Sequence, residues 1–434
     1  MNNKNCRQGT NMMKNINRFN YPKGRRGGAG EPGFPAMENQ VIIIGAGIAG
    51  LYTAYKIRKL DSSKSITILE ANPKASIGGR MGTLHFQGTE VVTGAGVGRK
   101  KKDDLLIQLL HELKVPYDEF LSEHYYSDVL HNKCNVKQTF MYLKKEYEKQ
   151  KPAKTTFKDF AVKVLGQERY KIFITCAGYT DYENEDVEDT LYHYGFDDNY
   201  ESWTGLSIPW MKLIVALIRK IGMDNIHVNT RVERIEEGNH FYVHTSKKLY
   251  TCNQVIIATT IDSVRKLLPG EPIYREIKGQ PFLRVYAKFS AASLRIIEDY
   301  VKGYTIVPGP LQKIIPMDQE KGVYMIAYSD NIHARKLRPY LENTLDNRAK
   351  FCEFIKKALV IPKDIEIHIS SIVDVYWEIG THYYEPLDPA KHKTRKEFIE
   401  KAQHPRHGIL VVGEAVSMHQ GWVEGALESV EKIM

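Results

Sequence analysis

Along the chain, short runs without a polar position alternate with longer stretches in which apolar residues recur every three or four places. The first run is Val41-Ile42-Ile43-Ile44. Four β-branched residues in a row predict a strand buried on both faces, as in a parallel sheet. Ser65-Ile66-Thr67-Ile68-Leu69, Val255-Ile256-Ile257 and Ile409-Leu410-Val411-Val412 predict further buried strands. Leu105-Leu106-Ile107-Gln108-Leu109-Leu110 predicts a helix, and so do Val423, Ala426, Leu427, Val430 and Ile433 by their spacing. By contrast, Phe282-Leu283-Arg284-Val285-Tyr286-Ala287-Lys288-Phe289 alternates like a half-buried strand.

The chemistry gathers where these elements meet. Gly45, Gly47 and Gly50 follow the first strand as G-x-G-x-x-G and open a helical run. The first glycine makes the tight turn, the second lets backbone approach a pyrophosphate, and the third lets helix and strand pack closely. The phosphates would rest on N–H groups at the helix N-terminus. The second strand ends at Glu70, where a carboxylate is placed to accept both ribose hydroxyls and to repel a 2′-phosphate. Gly78, Gly79 and Arg80 then suit a second backbone approach, with a guanidinium fork for the same phosphates. An NAD dehydrogenase has no need of that second loop, whereas a long dinucleotide such as FAD has.

The combination of G-x-G-x-x-G, the strand-end acid and G-G-R-x-x-T (Gly78, Gly79, Arg80, Thr83) resembles the flavin-containing amine oxidases, which include monoamine and polyamine oxidases. The resemblance covers roughly 40–100, 225–290 and 370–434. It implies an α/β fold: a Rossmann-type FAD-binding domain over 37–100, 216–275 and 405–434, and a discontinuous α+β substrate domain over 101–215 and 276–404. It also implies that Val232 meets the adenine end through its backbone. Gly413, Glu414, Trp422 and Val423 match the family's C-terminal G-E-x…G-x-x-E-G-A motif, with Glu414 toward the ribityl or phosphate region and Trp422 over the flavin ring. A family lysine near flavin N5 is replaced by Arg284, which keeps its proton at any ordinary pH. Lys288, on the same strand face, is its candidate substitute, and a structural pairing of Arg284 is the other reading. His382 sits where tyrosine is expected, and Tyr383 is a candidate to reach the substrate pocket. The run Arg99-Lys100-Lys101-Lys102 departs from the family.

Composition narrows the partners. The formal charge is +9, of which residues 1–36 supply +6. They read as a flexible basic arm, and the near-neutral body argues against a nucleic-acid partner. No apolar run is long enough to span a bilayer, and no C-terminal membrane anchor is expected. Five scattered cysteines without a C-x-x-C pair predict neither a zinc site nor a disulfide framework, and point to a reducing, cytoplasmic compartment. Asp181, Glu183, Glu185, Asp186, Glu188 and Asp189 form an acidic cluster, read either as a solvated loop or as a steering field for cationic amines.

The leading expectation is an FAD-dependent amine oxidase with non-covalent FAD, taking a small-molecule amine and dioxygen and releasing hydrogen peroxide. The alternatives are a related flavoenzyme oxidising carbon–carbon bonds, such as a desaturase or a protoporphyrinogen-oxidase-like enzyme, and a non-catalytic flavoprotein. The oligomeric state and the particular substrate are left open.

Overall fold

The computed structural model describes residues 40–434, and the arm expected over 1–36 lies outside the described residues. The apolar runs assemble into one parallel sheet. Its spatial order is Ile409–Val411, Gln254–Ile257, Gln40–Ile44, Ser65–Leu69 and Ile226–His227. Ile42 lies opposite Val255 on one side and Thr67 on the other. Val41 and Ile43 face a layer containing Leu51, Trp210 and Leu427, while Ile42 and Ile44 face Val264 and Phe398. With helices over both faces, Val41–Ile44 are all buried and the polar alternation disappears.

The helices Ile48–Leu60, Asp104–Glu112, Trp210–Ile221 and Val423–Glu431 share one core beneath this sheet. Trp210–Ile221 crosses the boundary expected between 215 and 216 and packs as one piece with the nucleotide-binding elements. Trp210 is wholly buried there, and its truncation to alanine would cost about 3–5 kcal/mol.

The second sheet has six strands in the order Ile369–Tyr384, Ile277–Phe289, Val323–Asp330, Lys313–Asp318, Tyr304–Ile306 and His124–Tyr126. Along Ile277–Phe289, Leu283, Val285, Ala287 and Phe289 pack on Phe351 and Ile355 of the helix Leu345–Leu359. The predicted alternation therefore turns Arg284, Tyr286 and Lys288 to the opposite face.

A helical unit around Val136–Gln150, Phe157–Leu165 and Gln167–Ala177 has its own aromatic core. It contains a disulfide, Cys134–Cys176, across a sequence separation of 42. Closing a loop of that length stabilises the fold by about 4 kcal/mol on chain-entropy grounds. The expectation of unpaired cysteines is therefore corrected: two residues far apart in sequence meet through helix packing, which spacing does not reveal. With it goes the basis for a reducing compartment. Among the described residues, no helix is long and apolar enough to cross a membrane.

Candidate functional site

Between the two sheets lies a cavity of about 1660 Å³, well above the ~300–1,000 Å³ of an ordinary single-ligand pocket. Gly45, Gly47, Glu70, Gly79, Arg80, Val232, Gly413, Glu414, Trp422 and Val423 all line it, as does Arg284. Segments from both ends of the described chain thus converge on one space.

Local geometry explains the glycines. Gly45 has φ +107°, and a Cβ there would strike the Ala258 carbonyl of the neighbouring strand. Gly50 stands away from the cavity wall, where a Cβ would collide with the Gly45 carbonyl, so it serves the helix–strand approach. Gly47 meets nothing and opens onto the cavity. It caps the helix Ile48–Leu60 without any side-chain cap, so the first N–H groups of that helix stay available to an anion. The helix Val423–Glu431 likewise starts at the wall with Trp422 as an uncapped N-terminus.

Glu70 is buried at the cavity edge and already accepts three protein donors. Ala46 N–H reaches one oxygen at 2.9 Å, while the Asn72 N–H and side-chain amide reach the other, each at 2.9 Å. A carboxylate offers about four acceptor sites, so these donors leave about one of them open to the cavity.

Arg80 and Glu414 meet directly. Arg80 Nη1 donates to Glu414 Oε1 at 2.7 Å and to the Gly380 carbonyl at 2.8 Å. Glu414 also accepts Gly421 N–H at 3.0 Å and a hydrogen bond from His382 Nδ1. Burial pushes this carboxyl up, but His382, Arg80 and the Gly421 N–H outweigh burial and hold it well below the usual carboxylate range. His382 Nε2 accepts the Ile261 N–H at 3.1 Å, which puts its ring proton on Nδ1, facing Glu414.

Three expected catalytic residues are therefore corrected. His382 is buried behind the wall with both nitrogens engaged, and it positions Glu414. Tyr383 shares a strand face with Thr381, but it lines only a small adjoining cavity, whereas Thr381 lines both. Lys288 does share a face with Arg284, but four residues of strand carry it about 13 Å further along. Its Nζ bonds the Lys321 carbonyl outside the cavity.

The acidic cluster fits neither of its readings. Asp181, Glu183, Glu185, Asp186 and Asp189 are buried, and most have partners. Arg395 Nε reaches Asp189 at 2.6 Å, Lys158 lies 3.1 Å from Glu183, and Asp186 caps the helix Val187–Tyr192. Of that cluster, Asp181 lines the cavity, where burial first and Asp330 second push its carboxyl upward. Most of the unusual basic run is likewise paired within the chain. Arg99 pairs with Asp103 at 2.6 Å and with Asp198 at 3.2 Å, and it stacks 3.6 Å over the Trp422 ring. Lys102 pairs with Asp197 and Asp198, each at 2.8 Å.

Sequence reasoning missed the tyrosines of the wall. Tyr179, Tyr194, Tyr304 and Tyr328 come from separate segments with no motif: sheet order brings Tyr304 and Tyr328 together, and Tyr179 and Tyr194 join them from loops. Lys313 lies behind them, fully buried, with its Nζ 3.1 Å from the Tyr179 ring centre and 4.6 Å from that of Tyr328. Burial brings its pKa down to about 7, against the pull of Asp330 and Asp181. Glu424 was also missed: it accepts Leu105 and Leu106 N–H at 2.9 Å each and so caps the helix Asp104–Glu112.

The lining fits FAD, with an open glycine and free N–H groups for phosphates, a carboxylate for a ribose, and room beyond for a second molecule. No cysteine lines the cavity among the described residues. A family model described as FAD dependent oxidoreductase matches residues 40–409. An uncharacterised protein of Acanthamoeba polyphaga mimivirus is 21% identical, over 92% of this chain and 93% of its own. Among solved structures, cyclohexylamine oxidase from Brevibacterium oxydans IH-35A superposes with a TM-score of 0.68 at 16% identity, over 91% of this chain and 97% of that one. Wild-type putrescine oxidase bound to putrescine gives 0.67 at 16%, over 92% and 98%. An Exiguobacterium sp. 255-15 protein assigned as a protoporphyrinogen oxidase gives 0.65 at 14%, over 92% and 98%. Likeness at these identities shows the fold.

Proposed function

Because the chain belongs to the FAD dependent oxidoreductase family, with FAD as its cofactor, we propose that it oxidises the carbon–nitrogen bond of a small-molecule amine with dioxygen as final acceptor. In balance, the amine loses two electrons and two protons to become an imine, water adds, and a carbonyl compound and an amine or ammonia leave. Dioxygen takes up two electrons and two protons as hydrogen peroxide. Bound FAD supplies the two-electron chemistry, and the protein supplies binding, orientation and shelter from water.

The observation that carries this reading is the side-chain wall beyond the nucleotide cradle. Trp422, Trp377 and four tyrosines line this space, with the buried Asp181 among its acidic members. Aromatic faces accept an amine or its cation, and the enclosure keeps the reacting centre dry. Arg99 fixes Trp422 from one side by stacking, so the indole is held in place before any ligand arrives. Gly47 and its helix N-terminus, together with Arg80, would hold the phosphates, and Glu70 a ribose. Glu414 holds Arg80 and the Gly421 turn in place rather than meeting the cofactor as a free carboxylate.

A carbon–carbon substrate is the second reading. It is favoured by apolar Ile315, Met317, Met325, Phe120 and Leu121 elsewhere on the same wall. The departure at His382 does not favour a non-catalytic protein, because that side chain serves Glu414 instead of a substrate.

The test is to purify the protein, record its visible spectrum, and add mono-, di- and polyamines anaerobically. Bleaching of the flavin bands by an amine supports the proposal. A bound flavin that no amine bleaches would overturn it in favour of the second reading.

A further inference from the structure

We propose that the small cavity beside the large one binds one monovalent cation of the size of ammonium or potassium, held by oxygens of Asp181, Glu185, Gln280 and Gln420. The site goes beyond amine oxidation and does not depend on it.

The two cavities share Asp181, Tyr194, Thr381, Gln420 and Gly421 in their walls. The small one has a volume of about 20 Å³, room for one body the size of a water molecule. Ammonium and potassium are of that size. Gln280 is 3% exposed; its amide nitrogen donates to the Asp181 carbonyl at 2.6 Å, and its Oε1 is buried with no donor. Gln420 repeats the arrangement, its nitrogen donating to the Ala415 carbonyl at 3.2 Å and its Oε1 left over. Flipping either amide would set oxygen against a carbonyl oxygen, so both orientations are fixed. Of the five buried acids in the cluster, Glu183, Asp186 and Asp189 have a lysine or arginine within ion-pairing distance. Asp181 and Glu185 have none among the described residues, and they are the two that line this cavity.

The lining offers these oxygens little. Each carboxyl takes one hydroxyl, Tyr194 donating to Asp181 and Thr190 to Glu185, both at 2.7 Å. Both His382 nitrogens are engaged, and the Gly421 N–H goes to Glu414. The hydroxyls of Thr381 and Tyr383 complete the polar lining and can accept as well as donate. Burial pushes both carboxyls upward, with Asp330 adding to it at Asp181 and Asp189 at Glu185. A water molecule would bring two donors and no charge. Ammonium brings four N–H donors and the positive charge that two buried acids lack, and potassium brings that charge to the same oxygens. The four holders come from the turn after Gln167–Ala177, the strand Ile277–Phe289, and the segment leading to Gly421 and Trp422. A bound cation therefore ties the helical unit and the second sheet to the neighbours of Glu414, and flavin retention should follow its occupancy.

The test uses the FAD-loaded full chain, desalted into tetramethylammonium chloride, a cation too large for the cavity. Ammonium, potassium, lithium and calcium chlorides are then titrated at constant ionic strength, read by thermal melt and by the rate of flavin loss. Ammonium and potassium should raise the melting temperature saturably, by about 2 °C at ten times the dissociation constant, and slow flavin loss over the same range. Glu185→Gln keeps the size of the side chain and removes its charge. In tetramethylammonium it should melt no lower than the unaltered protein, yet it should bind both cations at least about tenfold more weakly. Gln420→Met, which changes no charge, should weaken them too, and it decides the matter if Glu185→Gln does not fold. Ammonium bound about tenfold more tightly than potassium supports the site and assigns it to a product of the proposed reaction. Equal or tighter binding of potassium supports the site and assigns it to the cation of the medium. Melts that are the same in every salt overturn the proposal, as does lithium acting as well as potassium or calcium acting at far lower concentration. So does Glu185→Gln or Gln420→Met if either keeps the full gain.

Discussion

Glu414 and Arg284 are both buried charges on the wall of one cavity, and their surroundings are opposite. Glu414 has Arg80, His382 and the Gly421 N–H, all from the chain itself. Arg284 has an aromatic ring and a glycine. A charge whose partners are built in fixes the shape of the site before anything binds. A charge without them leaves the fold with a cost that a ligand can remove. The first kind belongs to scaffolding, and the second marks where the protein is incomplete by itself.

The contrast can be broken by substitution. Glu414→Ala leaves Arg80 and His382 facing each other without their acid, and should cost about 3–5 kcal/mol as well as flavin. A thermal melt and the flavin-to-protein ratio would both fall, and unchanged values would show that the pairing is not scaffolding. Lys313 allows the same question to be asked by pH. Its folded pKa is depressed, so the unfolded chain takes up the proton first as pH falls. The fold therefore loses stability from about pH 10.5 down to about 7 and loses no more below that. Lys313→Met should accordingly raise the melting temperature at pH 7, with the gain shrinking as pH approaches 10.

Smaller effects sharpen the comparison. His382→Ala removes one of the bonds to Glu414 and should cost about 1–3 kcal/mol with partial flavin loss, whereas His382→Asn should recover some of both. Lys288→Met should leave stability within about 0.5 kcal/mol and should not alter the rate of flavin reduction measured by stopped flow. A slowed rate would return Lys288 to the mechanism.

The difference between the two charges also explains what could be read from the sequence. The nucleotide end is made of neighbours: Gly45, Gly47, Gly50 and Glu70 lie in one strand–helix–strand unit, where turn and packing demands set the spacing. The parallel sheet was equally legible, because burial on two faces removes polar residues from a strand. The far wall follows a different rule. Tyr304 and Tyr328 meet through strand order in a mixed sheet, Tyr179 reaches them from a loop, and Cys134 meets Cys176 through helix packing. No local pattern encodes such meetings. The error at Lys288 has the same origin, since a shared strand face specifies direction and not distance. At His382, the matching family position suggested a ligand-facing role, but the alternation of its strand turned it away from the cavity to Glu414.

The parallel sheet places Ile409–Val411 beside Gln254–Ile257, two places from the strand that carries the glycine loop. On a ribosome, the phosphate cradle emerges long before Glu414 and Trp422. Until those residues follow, the growing chain holds an unfinished pocket with part of its wall missing. Cofactor capture must therefore wait until Ile409–Val411 has taken its place in the sheet, and a chaperone has its window on the pocket in that interval.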